Sequence, residues 1–151
     1  MISVAIITAG LISQQTSRFG FAWIVLSVAL SLHVADEALT DFLSLHNPAV
    51  QAIRKRFPFL RLPLFTFRVW LAGLCLGIFV AFALSFLAFR GNHLAIVIAY
   101  PVAILMLANG LGHMLASLYR HRMVPGVYSS PLLIAASAYL FNCAQAMRHA
   151  I

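Results

Sequence analysis

Two short stretches of this chain carry residue types able to do chemistry: HVADEALTD at residues 33–41 and NGLGH at residues 109–113. The first holds all three acidic residues, Asp36, Glu37 and Asp41, behind His33. At about 100° per residue of helix, His33, Asp36, Glu37, Thr40 and Asp41 fall within an arc of roughly 140°. Asn109 and His113, spaced i, i+4, share a face of their own helix. His33 and Glu37 sit one turn apart and can offer an imidazole nitrogen and a carboxylate oxygen to one ion, with His113 as third ligand. Two histidines and a carboxylate suit an open zinc or iron site. Asp36 or Asp41 would then serve as general base or orient a histidine, and Asn109 would hold a carbonyl or phosphoryl oxygen. A water on such an ion, with a pKa of about 7, hydrolyses an ester, amide or epoxide at neutral pH. Without a metal, neighbouring carboxylates in a low-dielectric site share protons and a histidine shuttles between them, which suits isomerisation, cyclisation or epoxide opening.

The elements that must position these groups are membrane helices. Of 151 residues 63% are hydrophobic and 9% charged, and the mean hydropathy is +0.98. Those values lie far from soluble averages and leave room for about four spans of roughly 20 residues. Continuous apolar runs fall at about 20–44, 64–89, 93–118 and 127–147, separated by His46 to Pro48, by Arg90 to Asn92, and by Arg120 to Gly126. The expected architecture is all-α, a polytopic four-transmembrane-helix bundle forming one membrane domain over residues 1–151. A barrel would need alternating ten-residue segments instead. Residues 1–12 are apolar but short and lack a basic flank, so they are expected to lie along the surface or insert partly, rather than to be a cleaved signal. The glycines of GLCLG (73–77) and those flanking Leu111 are expected to let helices approach closely. Cys75 and Cys143 lie in different runs without metal spacing and read as packing residues.

Charge sets an orientation. Arg54, Lys55, Arg56, Arg61, Arg120 and Arg122 flank one end of the runs, against Arg18, Arg90 and Arg148 at the other. Six against three places the first end in the cytoplasm and both termini on the opposite side of an inner (plasma) membrane. The basic segment 47–62, with aromatic residues among its cations, is expected to lie along an anionic leaflet. The net charge of +7 thus points to membrane lipid as partner and not to nucleic acid, for which no soluble module exists. Under this orientation the acidic stripe of the first run, Asn109 and His113 of the third, Arg68 of the second, and Tyr128, Ser129 and Ser130 of the fourth reach one layer. Ionisable groups at such depth cost at least about 2.5–3.5 kcal/mol each, so they must face partners or water.

The order H33-V-A-D-E37, then N109-G-L-G-H113, then V124-P-G126 before an apolar helix resembles the HXXEE-domain membrane proteins, named for a histidine followed three and four residues later by two glutamates. Asp36 departs from that pattern, keeping the carboxylate but shortening its reach by one methylene. The resemblance implies a small polytopic protein of enzymatic character and brings no substrate. The residues themselves favour an enzyme acting on a lipid-soluble small molecule taken sideways from the cytoplasmic leaflet. Two other classes compete: a proton or cation transporter or channel subunit, formed by homo-oligomerisation, and a structural membrane module. The outer halves of the four runs are almost purely apolar, which argues against a path across.

Overall fold

The computed structural model describes the backbone of residues 2–150 and the side chains of residue 10 and residues 13–149. Among the described residues the chain is all-α: α1 (Ile2–Leu39), α2 (Phe42–Arg56), α3 (Phe67–Ala88), α4 (His93–Arg120) and α5 (Ser130–Ala150). Three segments are long and apolar enough to cross a membrane: Ser13–Leu39 within α1, α3 and α4. Their outer surfaces fit that medium, since Phe79 is 70% exposed, Phe86 71% and Leu105 62%, a display that water would penalise. The fourth expected span is the helix α5, which does not belong to those three. Asn142, Gln145, Arg148 and His149 make its second half more polar. For residues 1–12, expected to lie along the surface or insert partly, the backbone is helical from Ile2, while the side chains, Gly10 apart, lie outside the described residues.

Helix α1 packs on α3 and α5, and α5 packs in turn on α4, so α5 stands between the two helices that carry the candidate residues. The apolar core is a set of matched faces: Phe19, Ala22, Trp23 and Leu26 of α1, Ala95, Ala99 and Ala103 of α4, and Leu133, Ala136, Leu140 and Ala144 of α5. Alanines on the facing sides let the helix axes come close. Gly110 extends this rule on α4, because a Cβ there would lie 2.8 Å from Ile134 Cγ1 and 3.2 Å from the Ser130 carbonyl oxygen. The other proposed packing glycines behave differently. Among the described residues a Cβ at Gly73, Gly77 or Gly112 would meet nothing within 4 Å, so these glycines are not what brings two helices together.

The expected first span, 20–44, ends early. Helix α1 stops at Leu39, the Thr40 hydroxyl donates to the Asp36 carbonyl, and Asp41 takes a left-handed conformation with φ 56°. Aspartate tolerates that region better than most residues. The chain therefore bends, and Thr40 and Asp41 are exposed instead of continuing the stripe. The basic segment expected at 47–62 is for the most part α2, whose last turn carries Arg54, Lys55 and Arg56, a placement the helix C-terminus favours. Asn47 ties α2 to the approach to α3: its amide nitrogen donates to the Phe65 carbonyl at 2.9 Å, and its oxygen accepts from the Phe65 N–H at 3.2 Å. Thr66 and Asn92 then cap α3 and α4, each accepting a backbone N–H of the first turn.

Candidate functional site

One end of the core changes character. On α1 the buried face that begins with Phe19, Trp23 and Leu26 continues as His33 and Glu37, and on α4 the face of Ala99 and Ala103 continues as Gly110 and His113. His33, Glu37 and His113 are all buried. Glu37 Oε1 lies 3.0 Å from His113 Nε2 and 3.5 Å from His33 Nε2. The two imidazole rings meet edge to face, centroids 4.9 Å apart, and Phe42, in the first turn of α2, covers His113 at 5.7 Å.

Asp36 looks elsewhere. Its Oδ2 accepts the Ser129 backbone N–H at 3.0 Å and the Ser129 hydroxyl at 2.8 Å. The same hydroxyl oxygen lies 2.9 Å from His33 Nδ1. A serine hydroxyl has one proton; given to the Asp36 carboxylate, nearer than the Gly126 carbonyl at 3.2 Å, it leaves the oxygen to accept from His33 Nδ1–H. His33 Nε2 then bears a lone pair, consistent with the Asn109 amide nitrogen 3.3 Å away donating to it. That lone pair faces Glu37 Oε1, also an acceptor when ionised. With Asn109 donating to that lone pair, the neutral ring offers Glu37 Oε1 no donor at 3.5 Å; a proton on Nε2, or a metal ion taking the place of the Asn109 hydrogen bond, would join the two.

The donor set fits a metal. One ligand atom each from His33, Glu37 and His113 lies within 4.8 Å of the other two. Tetrahedral zinc with bonds of about 2.0–2.1 Å sets its ligands roughly 3.3 Å apart, close to the 3.0 and 3.5 Å that separate Glu37 Oε1 from the two imidazole nitrogens. A histidine ligand ordinarily gives its second nitrogen to a polar partner that fixes its tautomer, and Ser129 does this for His33. Gly126 completes the wall. Its φ is +82°, and a Cβ there would come 2.9 Å from His113 Cε1 and 3.0 Å from Glu37 Cγ, so a larger residue would displace both side chains.

Of the residues singled out in the sequence, His33, Asp36, Glu37, Asn109, His113 and Ser129 come together. Arg68 does not join them. The buried position in the first turn of α3 is Trp70, about 200° round the helix from Arg68, which is exposed. Tyr128 is exposed too, at 69%. Ser130 is buried but gives its hydroxyl to the Gly126 carbonyl at 2.7 Å, holding the turn instead of entering the cluster. Asp41 lies past the end of α1 and is exposed. The sequence reading missed the bridging place of Ser129 and the wall role of Gly126. The Pro125-Gly126 pair ahead of two serines was the available signal.

No curated protein and no solved structure matches the chain. Residues 23–140 match the family described as "Protein of unknown function with HXXEE motif", a stretch that reaches from Trp23 past the whole cluster and into α5. The match includes His33, Glu37 and, in the place of the first glutamate, Asp36, and the chain belongs to the HXXEE family.

Proposed function

We propose that this chain is a four-span membrane protein, α5 being the fourth span, with an embedded metal-assisted hydrolase-type active centre for a lipid-soluble substrate. The observation that carries this reading is the meeting of the His33 Nε2 lone pair with Glu37 Oε1 at 3.5 Å, His113 Nε2 standing 3.0 Å from the same oxygen. Burying these groups costs stability that apolar packing would have supplied. A zinc or iron ion held there would polarise a carbonyl or phosphoryl oxygen and acidify a water.

The chain's own residues have separable roles. His33, Glu37 and His113 hold the ion. Asp36 acts through the Ser129 hydroxyl to orient His33 and is thus a positioning residue, not a ligand. Asn109 keeps its amide beside His33 Nε2 and is placed to donate to a substrate oxygen. The cluster lies where α1 and α4 end, beside α2 with Lys55 and Arg56 and beside Arg120 and Arg122. By the positive-inside rule that end faces the cytoplasm of an inner (plasma) membrane, with both termini on the other side.

The deciding experiment is elemental analysis of protein purified in detergent, beside the His113→Ala variant. Stoichiometric zinc or iron in the first and its loss in the second is the expected result. A wild-type protein without metal, unchanged by chelator in every activity, removes the metallohydrolase reading.

A further inference from the structure

Beside the cluster, at the end where α1 and α4 stop, a second concavity opens between α2 and the connection that follows α4. It has a volume of about 490 Å³. Leu45, Ala49 and Ala52 line one wall; at spacings of four and three they form a single, mostly small-residue face of α2. Arg120 and Arg122 stand among the lining residues opposite. Both are exposed, and neither forms an ion pair among the described residues.

Among the described residues no carboxylate pairs with them. The chain has three acidic residues: Asp36 is engaged by Ser129, Glu37 by the two histidines, and Asp41 does not line the concavity. Two guanidinium groups facing an apolar helix wall complement a molecule with an anionic head and an apolar tail. Planar forks of N–H donors pair two at a time with phosphate or carboxylate oxygens, and of the two the phosphate is the anionic group that membrane head groups commonly share.

The concavity also adjoins the cluster. Pro125 and Val124 line it, and the next residue, Gly126, is the one that closes on His113 and Glu37. Thr40, three residues beyond Glu37 on the chain, lines it from the α1 side.

We infer that this cleft binds the phosphate head group of a membrane amphiphile. Where the proposed hydrolase centre holds, such an amphiphile is its substrate class. The head sits between Arg120 and Arg122, outside the span, and the remainder of the molecule reaches the buried cluster past Gly126.

The test uses the full chain in phosphatidylcholine nanodiscs at about 0.15 M salt, where diffuse attraction is screened beyond about 8 Å. Calorimetry follows binding of dihexanoyl phosphatidic acid, dihexanoyl phosphatidylcholine and inorganic phosphate. Phosphatidic acid is expected to bind tightest. Arg120→Gln combined with Arg122→Gln is expected to weaken it by about tenfold or more, the size of one lost charged hydrogen bond. Lys55→Gln combined with Arg56→Gln removes the same charge from α2 outside the cleft and is expected to leave binding within about twofold. Equal losses in the two double variants overturn the cleft in favour of diffuse surface charge. Inorganic phosphate binding as tightly as phosphatidic acid overturns the amphiphile. Metal content of the same samples keeps the two proposals apart: stoichiometric metal without preference for phosphatidic acid overturns the head-group cleft alone, whereas an arginine-dependent preference in metal-free protein supports the cleft and removes the hydrolase centre.

Discussion

Helix α1 runs through two regions that share a face and a packing geometry but not a chemistry. Over Phe19 to Ala29 the buried positions are Phe19, Gly20, Ala22, Trp23, Leu26, Ser27 and Ala29; a turn later His33 and Glu37 are buried, with Val34 beside them. Helix α4 repeats the change, from Ala95, Ala99 and Ala103 to Gly110 and His113. In the first region close packing of small and large apolar groups supplies the cohesion. In the second, groups that are costly to bury are held by one another. Buried polar clusters stabilise less than the apolar residues that could replace them, and the proposed function rests on their presence at the end of an otherwise apolar stripe. Damage to the first region should therefore register as lost stability, and damage to the second as lost binding.

The largest effect belongs to the apolar region. Trp23 is fully buried in it, and Trp23→Ala is expected to cost about 3–5 kcal/mol from lost contacts and an unfilled cavity. Thermal unfolding in detergent measures the loss, and the fraction that remains folded is expected to bind the proposed metal as the wild type does. Next comes Glu37→Gln. Removing the central carboxylate oxygen should weaken the proposed metal by more than the 10–100-fold typical of outer residues. Stability should move by less than about 1 kcal/mol, because the amide keeps a hydrogen bond to an imidazole. If Glu37→Gln instead unfolded the protein as deeply as Trp23→Ala, the polar region would be a structural network and the contrast would vanish.

Ser129→Ala probes the same region one step further out. It cuts the connection from Asp36 to His33 Nδ1 and frees the ring to take the other tautomer. Metal affinity is expected to fall about 10–100-fold, with Ser129→Thr restoring it since the hydroxyl is kept. An affinity unchanged in Ser129→Ala removes the positioning role of Asp36.

Much of this division was legible in the sequence, and the reasons differ by residue. Helical periodicity alone puts His33 and Glu37 on one face and Asn109 and His113 on another, and the expense of burying them turns those faces towards each other. Periodicity cannot say which neighbour a side chain meets. Asp36 is about 100° round from Glu37, and what it finds there is the loop before α5, so its Ser129 partner depended on a turn that no single helix specifies. Arg68 illustrates the converse. Its depth suited the layer, but its angular position is set by Trp70 turning inward against Phe42, ring centroids 5.9 Å apart. The early end of α1 was hidden because Phe42, Leu43 and Leu45 continue the apolar run through the bend, while Asp41 in its left-handed conformation starts a new helix.

The smallest effect sharpens the contrast most, because it uses the same atom in the other region. Ser137 on α5 is fully buried, yet its hydroxyl returns only to the Leu133 carbonyl, 2.7 Å away and one turn back in the same helix. That carbonyl has a backbone partner already, and such back-bonding slightly destabilises a helix, while alanine is the better helix former. Ser137→Ala is therefore expected to shift stability by less than about 0.5 kcal/mol, within the range of neutral substitutions, and to leave metal affinity where it was. Ser129 and Ser137 stand eight residues apart along one segment, so the pair separates position from chemistry. A Ser137→Ala variant that lost metal as Ser129→Ala does would show the effect travelling through α5 itself, and the boundary between the two regions would have to be drawn across helices instead of along them.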